Sequence, residues 1–364
     1  MGCSQPNLSR NQQRCLSISI EFSILSVEVI RMDATTDPTN GSVSEVLWDT
    51  IIVGGGAAGL SAGVVLARAQ FATLVVDGGA PRNEHVDHMH GYLTRDGMAP
   101  REFVATGQAE LTRYGGRLMR ASVTDARHAS DGAFELQLDD DRTLRARSVL
   151  VATGLTDELP DIPGLSERWP SGVYHCPHCH GYEVRGRTIA VIGSEMGAVS
   201  THLASLIRRY SSSVTFCVNG IEVGAAERQR LTAYGVRLID ALVTRVVTSA
   251  DTASGNSMAI ELDNGEKVGC SAIFVAPRPV PHDTILTTLG AAKDPVSGLV
   301  AVDSQGATSC AGVWAAGNVV NPRARVIAAA GAGSTAAIGM TSWLLDQELS
   351  AAVAAELLDV GGAS

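Results

Sequence analysis

An α/β fold is predicted from three observations: an apolar strand running into a glycine turn and helix near residue 50, a second such unit near residue 190, and a glycine-rich, aromatic-poor composition. The 38 glycines and 4% aromatic content suit tight strand-to-helix turns and close backbone approach more than an aromatic binding face. With 364 residues, 45% hydrophobic and 18% charged, the chain can bury two ordinary cores, which excludes disorder as its overall state. A net charge of -10 provides no field that would gather nucleic acid or anionic lipid.

Residues 1–46 differ from the rest, being rich in Ser, Asn, Gln and Thr and ending in the turn-prone Thr36 to Ser42; they read as a loosely ordered extension, with Met32 as an alternative start. Leu16 to Ile30 is apolar but interrupted by Glu21 and Glu28 and lacks a cleavage site, so neither a membrane span nor an export signal is expected. Pro6 stands where a myristoylation signal has Ser or Thr. From there Trp48 to Val53 reads as a strand, Gly54 to Gly59 as a turn, Leu60 to Arg68 as a helix and Thr73 to Asp77 as a strand. The pattern recurs as strand Ile189 to Ile192, turn Gly193 to Ala198, a helix to about Arg209 and strand Val214 to Val218. Gly54 and Gly193 stand 139 residues apart, the mark of two Rossmann-like folds in tandem. Strands at Ser148 to Gly154, Ala272 to Ala276 and Gly312 to Val319 also run into turns, and an Ala-rich helix is expected from about Val326 to Leu345, leaving 347–364 as a tail. Asp139 to Asp141 reads as a solvated hairpin turn.

Gly54-Gly55-Gly56-Ala57-Ala58-Gly59 is G-x-G-x-x-G between a strand and a helix. Its first glycine permits the turn, its second admits a pyrophosphate to the backbone, and its third lets the helix pack close, so that the N–H groups around Ala57 and Ala58 face the phosphates. Asp77 ends the next strand, where its carboxylate can accept ribose hydroxyls.

Seven cysteines form no even, dense framework, so a reducing, cytoplasmic compartment is expected. Cys217, Cys270 and Cys310 read as small core residues. Only Cys176 and Cys179 form a motif, in His175-Cys176-Pro177-His178-Cys179-His180-Gly181-Tyr182. A haem attachment site needs export, and a zinc site lacks a second ligand pair, so no metal is assigned. An inert pair is the bland alternative to a redox-active disulfide, in which a neighbouring histidine takes a thiol proton.

In order and spacing, these motifs resemble the low-molecular-weight thioredoxin reductases over about residues 47 to 345. The resemblance implies an FAD-binding domain in two pieces, 47–157 and 285–346, interrupted by a smaller NAD(P)-type domain at 158–284 that carries Cys-x-x-Cys, and a homodimer. It places Gly78, Arg82, Asn83, Thr153, Gly154, Gly317, Asn318, Arg325 and Val326 beside FAD, Asn318 standing where the family has Asp, with the flavin contact kept and weakened. His180 replaces the usual Asp after the second cysteine. Cys-x-x-Cys-His-Gly-Tyr-Glu, with Pro81 to Asn83 and His88 to Gly91, is similar to the dithiol oxidase branch that closes disulfides in natural products of the gliotoxin, holomycin and romidepsin kind. His85, His88, His90 and His178 are candidates for the substrate cleft, with bonding to loop carbonyls the alternative for His88 and His90.

The second turn, Gly193-Ser194-Glu195-Met196-Gly197-Ala198, puts Glu195 where the second glycine belongs, and Val218-Asn219-Gly220 lacks the arginines that hold a 2'-phosphate. The alternative is that Glu195 swings outward and Arg208 or Arg209 supplies the charge. Without NADPH, electrons enter from thiols and leave through flavin to O2. In that scheme His180 deprotonates a small-molecule dithiol, the thiolate attacks Cys176, and Cys179, flavin-side by the resemblance, is released; peroxide and a substrate disulfide are the products. Thioredoxin reduction with NADPH or another electron donor, and a non-enzymatic flavin-bound thiol sensor, remain the competing readings.

Overall fold

The computed structural model describes residues 46–249, 255 and 257–361; the extension expected at 1–45 lies outside them. The chain runs through β1 (Leu47–Val53), α1 (Ala57–Arg68), β2 (Thr73–Asp77), α2 (Pro100–Arg113), β3 (Arg117–Arg120), β4 (Val123–His128), β5 (Phe134–Leu138) and β6 (Thr143–Val151). It crosses through β7 (Leu155–Glu158) to β8 (Val173–Tyr174), α3 (Pro177–His180), β9 (Ile189–Ile192), α4 (Gly197–Ile207), β10 (Val214–Cys217), α5 (Ala225–Ala233) and β11 (Val236–Ile239). Then follow β12 (Val243–Thr248), β13 (Met258–Leu262), β14 (Lys267–Cys270), β15 (Ala272–Val275), the return strand β16 (Arg278–Pro281), α6 (Thr284–Thr288), β17 (Val313–Ala315) and α7 (Val326–Gly361).

The first sheet is ordered β3-β2-β1-β6-β5-β4, and β17 pairs in parallel with the far half of β6. β1 is parallel to both β2 and β6, whereas β4 and β5 form an antiparallel flap reached through the hairpin at Asp139 to Asp141. The second sheet, β11-β10-β9-β15-β8, is wholly parallel, with the antiparallel β12-β13-β14 layer beside it. All four residues of β9 are fully buried because both faces of the sheet are covered, which is why the strand reads as an unbroken apolar run. Alternation decides the layers: Ile51 and Val53 join the core under the flap, while Ile52 packs against α1 and α7. In the second sheet Ala190 and Ile192 face the β12-β13-β14 layer, and Ile189 and Val191 face α4.

β7 and β16 pair antiparallel, Leu155 opposite Pro281 and Glu158 opposite Arg278, so the chain enters and leaves the second sheet through one two-stranded ribbon. The Ala-rich helix does not stop near Leu345 as expected. Residues 347–361 continue α7, since the stretch is rich in Ala, Glu and Leu and holds no Pro. No helix among the described residues is long and apolar enough to cross a membrane.

Candidate active site

Gly54 has φ +106, and a Cβ there would stand 2.5 Å from the Ala152 carbonyl oxygen, so only glycine fits. A Cβ on Gly59 would stand 1.9 Å from the Gly54 carbonyl oxygen, which is how closely α1 approaches the turn. Above Gly56 and above Gly154 nothing lies within 4 Å of where a Cβ would be. α1 has no side-chain cap and no acidic residue in its first turn, so the positive end of its dipole, with the N–H groups of Ala57 and Ala58, is left uncompensated by a side chain there. That is a cradle for a pyrophosphate.

Asp77 stands at the end of β2, where one carboxylate oxygen accepts from Gly55 N–H at 3.0 Å and the other is 3.7 Å from Arg120 Nη1. Gly78 follows it beside Ser122. Thr153 and Gly154 are tied to His282: Thr153 Oγ1 donates to the His282 carbonyl at 2.7 Å and His282 N–H donates to the Gly154 carbonyl at 3.1 Å. Gly317, with φ +81, lets its turn approach Ala58, and Val326 opens α7. The donor end of Asn318 serves its own turn. Nδ2 donates to the carbonyls of Asn321 (3.0 Å), Pro322 (3.4 Å) and Ala324 (2.9 Å), closing the turn before α7. The Arg82 guanidinium is taken up by Asp157, in two bonds of 2.7 Å, and by the Pro322 carbonyl at 3.0 Å. The Asn83 carbonyl accepts from Val86 N–H, and Arg325 lies against Gly91.

Cys176 and Cys179 form a disulfide, Cα to Cα 5.3 Å, across the single turn of α3. The His180 ring stacks on Tyr174 at 4.5 Å, and its Nδ1 is buried without a hydrogen-bond partner. Burial holds the His180 pKa below its usual value, against the opposing pull of Glu183. On the other side of the pair, His175 stacks on Trp169 at 5.2 Å, and burial pushes its pKa down to about 4. His90 spans two loops, with Nδ1 3.5 Å from Asp96 and Nε2 3.6 Å from Glu183. The other candidates are not drawn together: His85 pairs with Glu84 at 3.3 Å, His88 Nδ1 bonds the Gly97 carbonyl at 3.0 Å, and His178 is exposed. Sequence reading assigns no role to Tyr174, Trp169 or Asp157, and takes in Glu183 only as the last residue of the cysteine motif. Tyr174 and Glu183 flank the stretch His175 to Tyr182 directly; Trp169 and Asp157 reach the site only through tertiary folding. Cys217 and Cys270 are core residues whose thiols burial pushes up to about 12, and Cys310 is half-buried, 3.6 Å from His128 Nε2.

The second turn is built differently. α4 starts four residues after Gly193, whereas α1 starts three after Gly54. Ser194 is buried and bonded to the Ala276 carbonyl at 2.7 Å. Glu195 does swing outward, 65% exposed and 3.2 Å from Arg278. Arg208, however, is tied to the Ser211 carbonyl and packs beside Gly235. Asn219 occupies an expected arginine position and is a clamp, donating to the Gly193 carbonyl and accepting from Val243 N–H, both at 2.9 Å. The cleft between α4 and α5, about 510 Å³, is lined by Glu222 and Glu227, and its Arg230 pairs with Glu227 at 3.1 Å.

Residues 48–334 match the pyridine nucleotide-disulphide oxidoreductase family. Thioredoxin reductase tcpT of Claviceps purpurea is 34% identical over 286 residues, covering 74% of this chain and 86% of that protein. The crystal structure of HlmI is 42% identical with a TM-score of 0.81, covering 87% of this chain and 98% of that one. An oxidoreductase from Agrobacterium tumefaciens is 33% identical with a TM-score of 0.75, covering 82% and 99%. On the family match and these likenesses, the chain belongs to the pyridine nucleotide-disulphide oxidoreductase family as a thioredoxin reductase-like enzyme.

Proposed function

We propose that this enzyme is an FAD-dependent dithiol oxidase that makes a disulfide in a small molecule, with O2 as electron acceptor and hydrogen peroxide as product. Members of the family bind FAD, and the first glycine turn fits it. The open space over Gly56, the uncapped start of α1 and Asp77 would hold pyrophosphate and ribose, and the turn from Gly317 into α7 the flavin end. When bound, FAD supplies a two-electron acceptor that reoxidises the cysteine pair and passes the electrons to oxygen.

The observation that carries the reading is the contrast between the two turns. The second has Asn219 as a structural clamp, two carboxylates in its cleft and its one lining arginine paired, a poor seat for the phosphates of NADPH. Electrons then enter as thiols. His180, kept neutral by burial and held by Tyr174, takes a proton from the substrate dithiol. The resulting thiolate attacks Cys176 Sγ, breaking the Cys176–Cys179 bond and releasing Cys179 as a thiolate. The second substrate thiol passes its proton to the Cys179 thiolate and displaces Cys176, so the substrate leaves as a disulfide, having given two electrons to the cysteine pair, one proton to His180 and one to Cys179.

The test is anaerobic stopped-flow with the FAD-loaded enzyme. Dithiothreitol is expected to bleach the flavin, NADPH is expected not to, and Cys179→Ser is expected to abolish the bleaching. Fast bleaching by NADPH would overturn the direction of electron flow and favour the reductase activity in the names of the relatives.

A further inference from the structure

The loop before α2 and the segment after α3 meet at one side chain. Within the loop, Met89 N–H donates to the Met98 carbonyl and Gly97 N–H to the Met89 carbonyl, both at 2.9 Å, and Asp96 accepts from Gly91 N–H at 2.7 Å. His90 stands in this closed turn, 28% exposed, with Arg325 against the neighbouring Gly91. A carboxylate faces each of its ring nitrogens, Asp96 on its own loop at 3.5 Å and Glu183 across the gap at 3.6 Å. Glu183 lies three residues beyond His180, on the turn that leaves α3. The cation on that turn is already engaged: Arg185 donates to the Tyr182 carbonyl at 2.6 Å and stands 3.8 Å over the Tyr182 ring. Among the described residues, Glu183 pairs with His90 alone. Four groups bear on His180: the Tyr174 ring stacked on it, the uncharged His175, Glu183, which draws its pKa up, and His90, which opposes Glu183 more weakly. The Glu183 carboxylate is 46% exposed, so without a partner it would turn into water and be screened.

We propose that His90 is a positioning residue: it holds the Glu183 carboxylate beside His180, where that carboxylate steadies the imidazolium formed when His180 takes a proton from a thiol. The assignment rests on the base role given to His180 above and adds what sustains it. His90 acts by donating from its ring to Glu183, not by its charge, and it does so from a loop of the other half of the chain.

The experiment titrates the histidines of the FAD-loaded full chain by NMR, with 13C at the imidazole Cε1 and the His180 signal identified as the one lost in His180→Gln. His90→Ala is expected to move the midpoint of the His180 titration to lower pH by about half a unit, as Glu183→Gln does, and the double variant no further. His90→Gln, whose uncharged amide N–H can still reach Glu183, is expected to keep the wild-type midpoint. His90→Phe, which keeps the bulk of the ring and loses the donor, is expected to behave as His90→Ala and carries the test if that variant does not fold. The low-pH limb of flavin bleaching by dithiothreitol should move with the His180 midpoint. An unmoved midpoint overturns the assignment. So does a rise in both His90→Ala and His90→Gln, which would make His90 a plain opposing charge. If the midpoint moves but dithiothreitol does not bleach the flavin, the oxidase reading fails and the hold of His90 on Glu183 stands; if bleaching occurs and the midpoint does not move, only the positioning role fails.

Discussion

At Asn318 a single nitrogen decides a residue's use. Its Nδ2 donates to three carbonyl oxygens, which an aspartate in its place could not do. Asn318→Asp would set a charge against those oxygens and is expected to cost about 1 to 3 kcal/mol in urea unfolding. His175 carries a pH effect. Burial leaves its native pKa near 4, against about 6.5 unfolded, so below 6.5 the unfolded chain binds the extra proton first. Stability should therefore be full above pH 6.5, fall by roughly 2 to 3 kcal/mol on descent to pH 4, and change no further from this group below that. His175→Phe should flatten that part of the pH-stability curve. The cysteine motif and His180 were legible because their chemistry is written in adjacent positions. Tyr174 and Trp169 were not, because an isolated aromatic gives no sign of which ring it will meet.

Among the elements, the crossing of α1 and α7 depends on absent atoms. A Cβ on Gly333 would stand 1.9 Å from the Ala58 carbonyl oxygen, within the first turn of the helix that fronts the pyrophosphate cradle. Gly333→Val is expected to destabilise the fold by several kcal/mol and to yield protein with little bound FAD, read from the flavin-to-protein absorbance ratio. The far end of α7 behaves oppositely. Beyond Leu344 the side chains described are exposed, and Glu348 adds one ion pair with Arg147 at 2.8 Å. Truncation after Leu349 is expected to change the unfolding free energy by less than about 0.5 kcal/mol. The strands β1, β2, β6, β9, β10, β15 and β17 were readable because parallel strands covered on both faces leave unbroken apolar runs, whereas the flap β4-β5 and the β12-β13-β14 layer, with charged and polar residues among their apolar ones, were not. The end of α7 was not, since an exposed helix held by propensity alone has no buried stripe to mark its length.

For the whole molecule, the repeat of 139 residues announced two similar halves, yet the structure makes them unequal at the one place where the glycine pattern breaks. The outward turn of Glu195 and its pairing with Arg278 mean that bulk over the backbone is not the whole obstacle to a nucleotide. Glu195→Gly alone is accordingly expected to leave NADPH unable to bleach the flavin, because Asn219 stays clamped and Glu222 and Glu227 stay in the cleft. Rapid bleaching by NADPH after that one change would show the side chain to be the sole barrier.

The paired strands β7 and β16 bring the two ends of the disulfide-bearing stretch side by side, fastened below by His282 to Thr153 and Gly154. A host scaffold would need to offer only one opening about 5 Å wide, the ordinary gap between neighbouring strands, to receive it. Transplantation of everything between them, as a cassette, requires no rethreading of either parent.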